Sequence, residues 1–161
     1  MRSGIAVGRP LDRETARALA RELRRSEALD VALRALRYRD QSRRRLEQRL
    51  ARRGSPAEAR EDALSTLERA GLVDDARVAA GRARTLAGRG YGDAAIRFAL
   101  EAEGLPEAAV VQALSTLEPE ADRARDLLSA RGRAPRTVRW LAGKGFDAAT
   151  LEDVAGFADE A

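Results

Sequence analysis

Ala63-Leu64-Ser65-Thr66-Leu67-Glu68 recurs letter for letter as Ala113-Leu114-Ser115-Thr116-Leu117-Glu118. The same fifty-residue offset carries Leu46 onto Ile96, Leu50 onto Leu100, Gly54 onto Gly104 and Pro56 onto Pro106. A period in that range marks supersecondary units in a row, each too small to bury its apolar face alone. A chain rich in Ala, Leu and Arg matches itself easily, but composition does not align its glycines and prolines. A shift of forty-one residues gives a weaker third copy, carrying Leu100 and Gly104 onto Leu141 and Gly145, and Val110, Ala113 and Leu114 onto Leu151, Val154 and Ala155. The last unit is shortened, as terminal units often are.

Within each copy the pattern is helical, because Ala, Leu, Arg and Glu dominate and β-branched and aromatic residues are sparse. Leu11 to Arg25 reads as one helix, with Asp12 near its start and Ala16, Leu19, Ala20 and Leu23 on one face. Ser26 then serves as cap for a second, Ala28 to Tyr38, facing inward through Val31, Ala32, Ala35 and Leu36. A basic helix follows from Ser42 to Arg53, with Leu46 and Leu50 inward. Gly54 ends it and Pro56 opens the next, which buries Ala59, Ala63, Leu64 and Leu67. Val73-Asp74-Asp75 starts the cycle again with an aspartate cap. Asp74 to Leu86, Asp93 to Glu103 and a stripe of Ala109, Val110, Ala113, Leu114 and Leu117 make the second trio. Ala124, Leu127 and Leu128, then Val138 and Leu141, then Leu151, Val154 and Ala155 make the third. The expected fold is all-α: an elongated array of three tandem three-helix repeats preceded by an N-terminal helix. Its segments are an Arg-rich tail and helix over 1–27 and repeats over 28–72, 73–120 and 121–161. Phe98, Trp140, Phe146 and Phe157 are expected to fill cores within or between units.

The composition removes whole classes of chemistry. Cysteine and histidine are both absent, which excludes disulfides, Cys-ligated metals and catalytic systems built on histidine. Met1 to Pro10 carries charges and glycines, and no uncharged run reaches the roughly 18 residues of a membrane span. A cytoplasmic, non-enzymatic protein without cofactor or metal is expected. Of 30 basic residues only Lys144 is lysine. Coding bias explains the arginine total as well as the guanidinium's grip on phosphates and carboxylates does, but not where the arginines cluster. Residues 1–60 hold 17 Arg against 8 acids, residues 61–120 hold 6 against 11, and residues 121–161 balance at 6 Arg and Lys144 against 7 acids. A basic first third suits a polyanion or an acidic protein surface.

Gly88 to Gly92 lacks the Gly-Lys-Ser/Thr of a phosphate loop and follows no strand, and Gly143-Lys144-Gly145 is followed by Phe146 where a hydroxyl would hold Mg²⁺. Both are turns. The acid pairs Glu61-Asp62, Asp74-Asp75 and Glu152-Asp153 are read as complements to helix starts rather than metal ligands. The stronger candidate is the run Arg34, Arg37, Arg39, Arg43, Arg44, Arg45, Arg49, Arg52 and Arg53. Asp40 with Arg44 and Arg43 with Glu47 offer pairing at four-residue spacing, which leaves most of this charge for a partner.

Several blocks resemble, in order and spacing, the RecX family of small helical regulators of the RecA recombinase. The first is carried by Arg39, Ser42, Leu46, Leu50 and Gly54. Arg45 stands where the family commonly has Glu, removing half of a capping box with Ser42. Gly71, Leu72, Val73, Asp74 and Asp75 match the second block, and Arg77-Val78-Ala79 stands where the family often reads Arg-Phe-Ala. Gly92, Ile96, Leu100, Gly104 and Leu105 follow the third, with Ala99 for the usual Glu. Trp140-Leu141 and Lys144-Gly145-Phe146 resemble the family's C-terminal signature. The likeness runs over about residues 28–157 and leaves 1–27 without counterpart. It implies a curved three-repeat protein, expected as a monomer, that binds RecA, lodges along the RecA filament on single-stranded DNA and suppresses its recombinase, ATPase and co-protease activities in DNA repair and the SOS response. The motif positions are implied to be structural, and the arginines to supply RecA or DNA contacts. Two other readings stay open: a DNA-binding protein that reads duplex through its Arg-rich helix, and a generic helical-repeat adaptor.

Overall fold

The computed structural model describes residues 12–156, within which every regular element is a helix. They are α1 (Arg13–Leu36), α2 (Arg43–Arg52), α3 (Ala57–Arg69), α4 (Asp75–Gly88), α5 (Asp93–Ala102), α6 (Glu107–Ser115), α7 (Glu120–Arg131), α8 (Pro135–Gly143) and α9 (Ala148–Gly156). Phe157, Leu11 and the rest of the first eleven residues lie outside the described residues. Two compact units emerge, one of residues 12–39 and 46–72, the other of 40–45 and 73–156.

In the first unit α1 packs on α3. Ala28, Ala32 and Ala35 of α1, Leu46 and Leu50 of α2, and Ala59, Ala63, Leu64 and Leu67 of α3 are its buried residues. The sequence predicts two helices across 11–38, and one is found. Ser26 lies inside α1, where a serine costs only about 0.5 kcal/mol against Ala and the chain does not turn for its hydroxyl to cap. The true cap is Asp12, whose Oδ1 accepts the Thr15 amide at 2.7 Å, a bond that holds its carboxyl below the ordinary carboxylate range. Leu19 and Leu23, expected inward, are 47% and 59% exposed. Here α1 turns Arg21, Glu22 and Arg25 towards Asp62, Ser65 and Thr66 of α3 across a polar cleft, with Arg25 donating to Thr66 Oγ1 at 3.4 Å.

The second unit holds two apolar clusters. Val78, Ala79, Ala83, Ile96, Leu100, Leu105, Ala109, Val110 and Ala113 form the α4–α6 core. Ala124, Leu128, Leu141, Phe146, Leu151 and Val154 form the α7–α9 core, with Trp140 packed against it. Phe98, expected in a core, is instead 74% exposed. Ile96 and Leu100 already set the inward face of α5, and a residue midway between them points about 200° away at 100° per residue.

Positions equated by the two sequence offsets carry the same local structure. Leu50, Leu100 and Leu141 are fully buried. Gly54, Gly104 and Gly145 follow four residues later with φ of 78°, 74° and 82°. After each, the next amide bonds back to the carbonyl of its leucine: Ser55 to Leu50, Leu105 to Leu100 and Phe146 to Leu141. This is the Schellman closure, which requires the left-handed conformation glycine adopts without strain. Where the third copy departs, Thr137 takes the buried place of Leu46 and Ile96.

Within the second unit a joint between helices also recurs. Ser42 Oγ donates to Glu103 O at 2.9 Å, and fifty residues on, the Gly92 amide donates to Lys144 O at 3.0 Å. Asp75, in the first turn of α4, accepts the Arg43 amide that begins α2. Glu120, in the first turn of α7, likewise accepts the Asp93 amide that begins α5, and the Asp147 amide as well. In the later joint Gly92 and Gly145 meet backbone to backbone, and the Ala94 amide donates to Gly145 O at 3.2 Å. Arg123 is buried across it, donating to Glu118 O and Tyr91 O, pairing with Asp93 and lying 5.8 Å from the Phe146 ring centre.

Candidate functional site

The arginines picked out by the sequence do not form one uniform surface. Arg34 is tied to Asp30 one turn earlier. Arg43, Arg44 and Arg45 open α2, and their backbone is held by the joint just described. The Arg43 amide reaches Asp75 Oδ1 at 2.9 Å and the Arg45 amide reaches Ser42 Oγ at 3.3 Å. The Arg45 guanidinium sits 3.9 Å from Glu103, which also takes two bonds from Arg82 at 2.9 and 2.6 Å. The Arg44 stem lies against Gly104, filling the space a side chain would need there. Arg44 and Arg45 therefore spend part of their side chains on the fold, and Arg43 its backbone amide. Asp40, expected opposite Arg44, pairs instead with Arg77 at 3.1 Å.

Arg37, Arg39, Arg49, Arg52 and Arg53 are exposed and make no ion pair among the described residues. Arg49 and Arg52 of α2 and Arg53 just past its end lie three and four residues apart, the spacing of helix neighbours. Leu46 and Leu50 are buried, with Arg49 and Arg53 flanking them three residues on and Arg52 turned further away. Three guanidinium groups so placed present donors to solvent with no internal carboxylate to neutralise them. Such a surface binds carboxylates or phosphates bidentately.

The remaining motif residues are structural in position. Asp74 caps α4 by accepting the Arg77 amide at 2.9 Å. Of the other acid pairs, Glu61-Asp62 and Glu152-Asp153 lie inside α3 and α9 rather than at their starts. Among the described residues no group of three or more His, Cys, Asp or Glu is placed to hold a metal ion. No described helix is long and apolar enough to cross a membrane.

One cluster was missed in the sequence. Between Asp126 and Asp147 the chain carries Arg131, Arg133, Arg136, Arg139 and Lys144 and no acid. Counting charge over 121–161 as a block hid it, because the acids lie in α7 and from Asp147 onward. Arg131 stacks 4.2 Å from the Trp140 ring centre, and Lys144 Nζ lies 4.0 Å from that of Tyr91 and 5.6 Å from Trp140. A scan for acid-free stretches rather than for net charge would have found it.

No family model matches the chain. It is 31% identical over 156 residues to a regulatory protein RecX of Xanthomonas oryzae pv. oryzae strain MAFF 311018, covering 91% of this chain and 98% of the relative. It is 41% identical over 127 residues to a regulatory protein RecX of Thermus thermophilus, covering 75% of this chain and 84% of that one. Among solved structures, a crystal structure of regulatory protein RecX superposes with a TM-score of 0.75 at 25% identity, covering 93% of this chain and 80% of the other. The RecX of Lactobacillus salivarius superposes with a TM-score of 0.74 over 84% of this chain and 97% of the other, and at 17% identity it speaks for the fold alone.

Proposed function

Because this chain belongs to the RecX family of regulatory proteins, we propose that it restrains the RecA recombinase by binding RecA and its filament on single-stranded DNA. The observation that carries this is the row Arg49, Arg52 and Arg53 along the second half of α2 and just past its end, exposed and without ion pairs among the described residues. A RecA filament is a polymer of protein acids and DNA phosphates, and exposed arginines with no internal carboxylate partner suit both. The copies starting near residues 28, 73 and 121 are proposed as three helical trios, supported by the recurring leucine, glycine and joint contacts. The protein acts as a monomer in the cytoplasm, by occupancy rather than by chemistry, and lowers ATP hydrolysis, strand exchange and co-protease activity together.

The test adds purified protein to preformed RecA filaments on single-stranded DNA and follows ATP hydrolysis. A prompt fall at substoichiometric protein is the expected result. The variant Arg49→Ala, Arg52→Ala, Arg53→Ala, whose side chains are exposed and make no ion pair among the described residues, should keep its helix content and need at least about ten-fold more protein for the same inhibition, as loss of several charge-assisted contacts at about 1 kcal/mol or more each requires. Undiminished inhibition by that variant would remove α2 from the interface. No inhibition by the parent protein would remove the function.

A further inference from the structure

We infer that the end of α7 and the exposed side of α8 form a second contact surface, built for the phosphodiester backbone of single-stranded nucleic acid. It takes its context from the function proposed above but stands on different residues. The twenty positions from Leu127 to Phe146 contain five cations and no acid. Arg133, Arg136 and Arg139 are exposed and make no ion pair among the described residues. Arg136 and Arg139 lie three apart on α8, so they share a face, and Arg133 precedes them by the same interval at the turn. The inward side of the helix is fixed by Thr137 and Leu141, both buried.

The single sign of this longer stretch sets it, with the row at Arg49, Arg52 and Arg53, apart from surfaces where arginines are interleaved with acids: Arg97 meets both Glu101 and Glu107, Arg82 meets Glu103, and Arg125 meets Asp122. A protein partner offers both signs, whereas a nucleic-acid strand offers one sign at regular intervals, which a one-sign surface matches. The aromatic neighbour points to a single strand. Trp140 is half-buried with the exposed Arg131 stacked over it, and an anchored guanidinium plane is a platform on which an unpaired base lies. A duplex keeps its bases stacked inside and gains nothing from that platform.

The experiment uses the full-length protein, no RecA, and a short oligothymidylate as probe, with affinity measured over a range of salt. Trp140 is the only tryptophan, so its emission reports the surface directly. Saturating oligothymidylate should change that emission, and the variant Arg133→Ala, Arg136→Ala, Arg139→Ala should bind at least about ten-fold more weakly. Its slope of log affinity against log salt should be shallower by about 2, at roughly 0.7 per phosphate contact on a single strand. Replacement of the same three by Lys should restore most of both, which separates charge from folding. If the Ala variant loses helix, Arg136→Gln and Arg139→Gln singly carry the test, each expected to lower the slope by about 0.7.

An unchanged affinity and slope in the α8 variant overturns the inference. So does equal affinity for duplex of the same length, or binding of polyglutamate as tight as that of oligothymidylate, which would assign the surface to an acidic protein. RecA is absent throughout, so failure here leaves inhibition of the filament standing, and failure of that inhibition leaves this surface untouched.

Discussion

A methyl group at Gly92 would land on the carbonyl oxygen of Gly145 and the amide nitrogen of Phe146. Neither obstacle is a flexible side-chain end, so the two backbones must part and the bonds from Gly92 to Lys144 and from Ala94 to Gly145 must lengthen. Gly92→Ala is therefore expected to destabilise the protein by about 2–3 kcal/mol, the range for overpacking a site that does not relax. Gly81 is the matched control. It lies inside α4, where an added Cβ would meet nothing within 4 Å, so Gly81→Ala should stabilise by about 0.5–1 kcal/mol through helix propensity alone. Urea midpoints of the two variants should move in opposite directions, and a shared direction would refute the backbone contact. Gly92 was picked out from sequence for its place in a motif, but its physical reason lies more than fifty residues away and was not legible there.

At the scale of the element, α2 shows what a repeat reveals and what it hides. Its span, its buried leucines and its closing glycine follow from the offset to α5 alone, because the same side chains must solve the same packing problem twice. The start of α2 was not legible. With Arg45 in place of an acid the capping box is broken, and the sequence predicts a weak N-terminus. The Arg43 amide is instead capped by Asp75 at the start of α4, and Ser42 makes two bonds, to the Arg45 amide and the Glu103 carbonyl. Ser42 is 1% exposed, so Ser42→Ala leaves both partners dry and should cost about 1–2 kcal/mol. Hydrogen exchange should show the Arg45 amide losing protection, while amides at Leu50 and beyond keep theirs. The continuity of α1 through Ser26 and the outward Phe98 were missed for a related reason: local propensity and composition do not say which face a neighbour covers.

Across the whole molecule the cores are small and alanine-rich, and within the second unit they are joined by polar contacts rather than merged into one continuous apolar interior. The α4–α6 and α7–α9 clusters share no buried residue, and Arg123 is the buried charged side chain that bridges them, beside contacts from Glu120 and Lys144. Its three-way attachment to Glu118 O, Tyr91 O and Asp93 depends on the planar guanidinium fork. Arg123→Ala would strand two backbone carbonyls and the carboxylate of Asp93, at a cost of about 2–3 kcal/mol once the partial exposure of Asp93 is discounted. The more telling consequence is in cooperativity. Trp140 reports the α7–α9 cluster and its contact with the turn at Gly90, whereas far-ultraviolet circular dichroism reports every helix. In the parent protein the two signals should fall together in urea, as for any cooperative transition. In Arg123→Ala the tryptophan signal should fall at lower urea than the helix signal, because α7–α9 is a small core that has lost its support from α4–α6. Arg123→Lys, which keeps the charge without the fork, should behave more like Ala than like the parent. Coincident transitions in both variants would mean that the clusters are coupled by apolar contact at the joint, and that the buried arginine only decorates it.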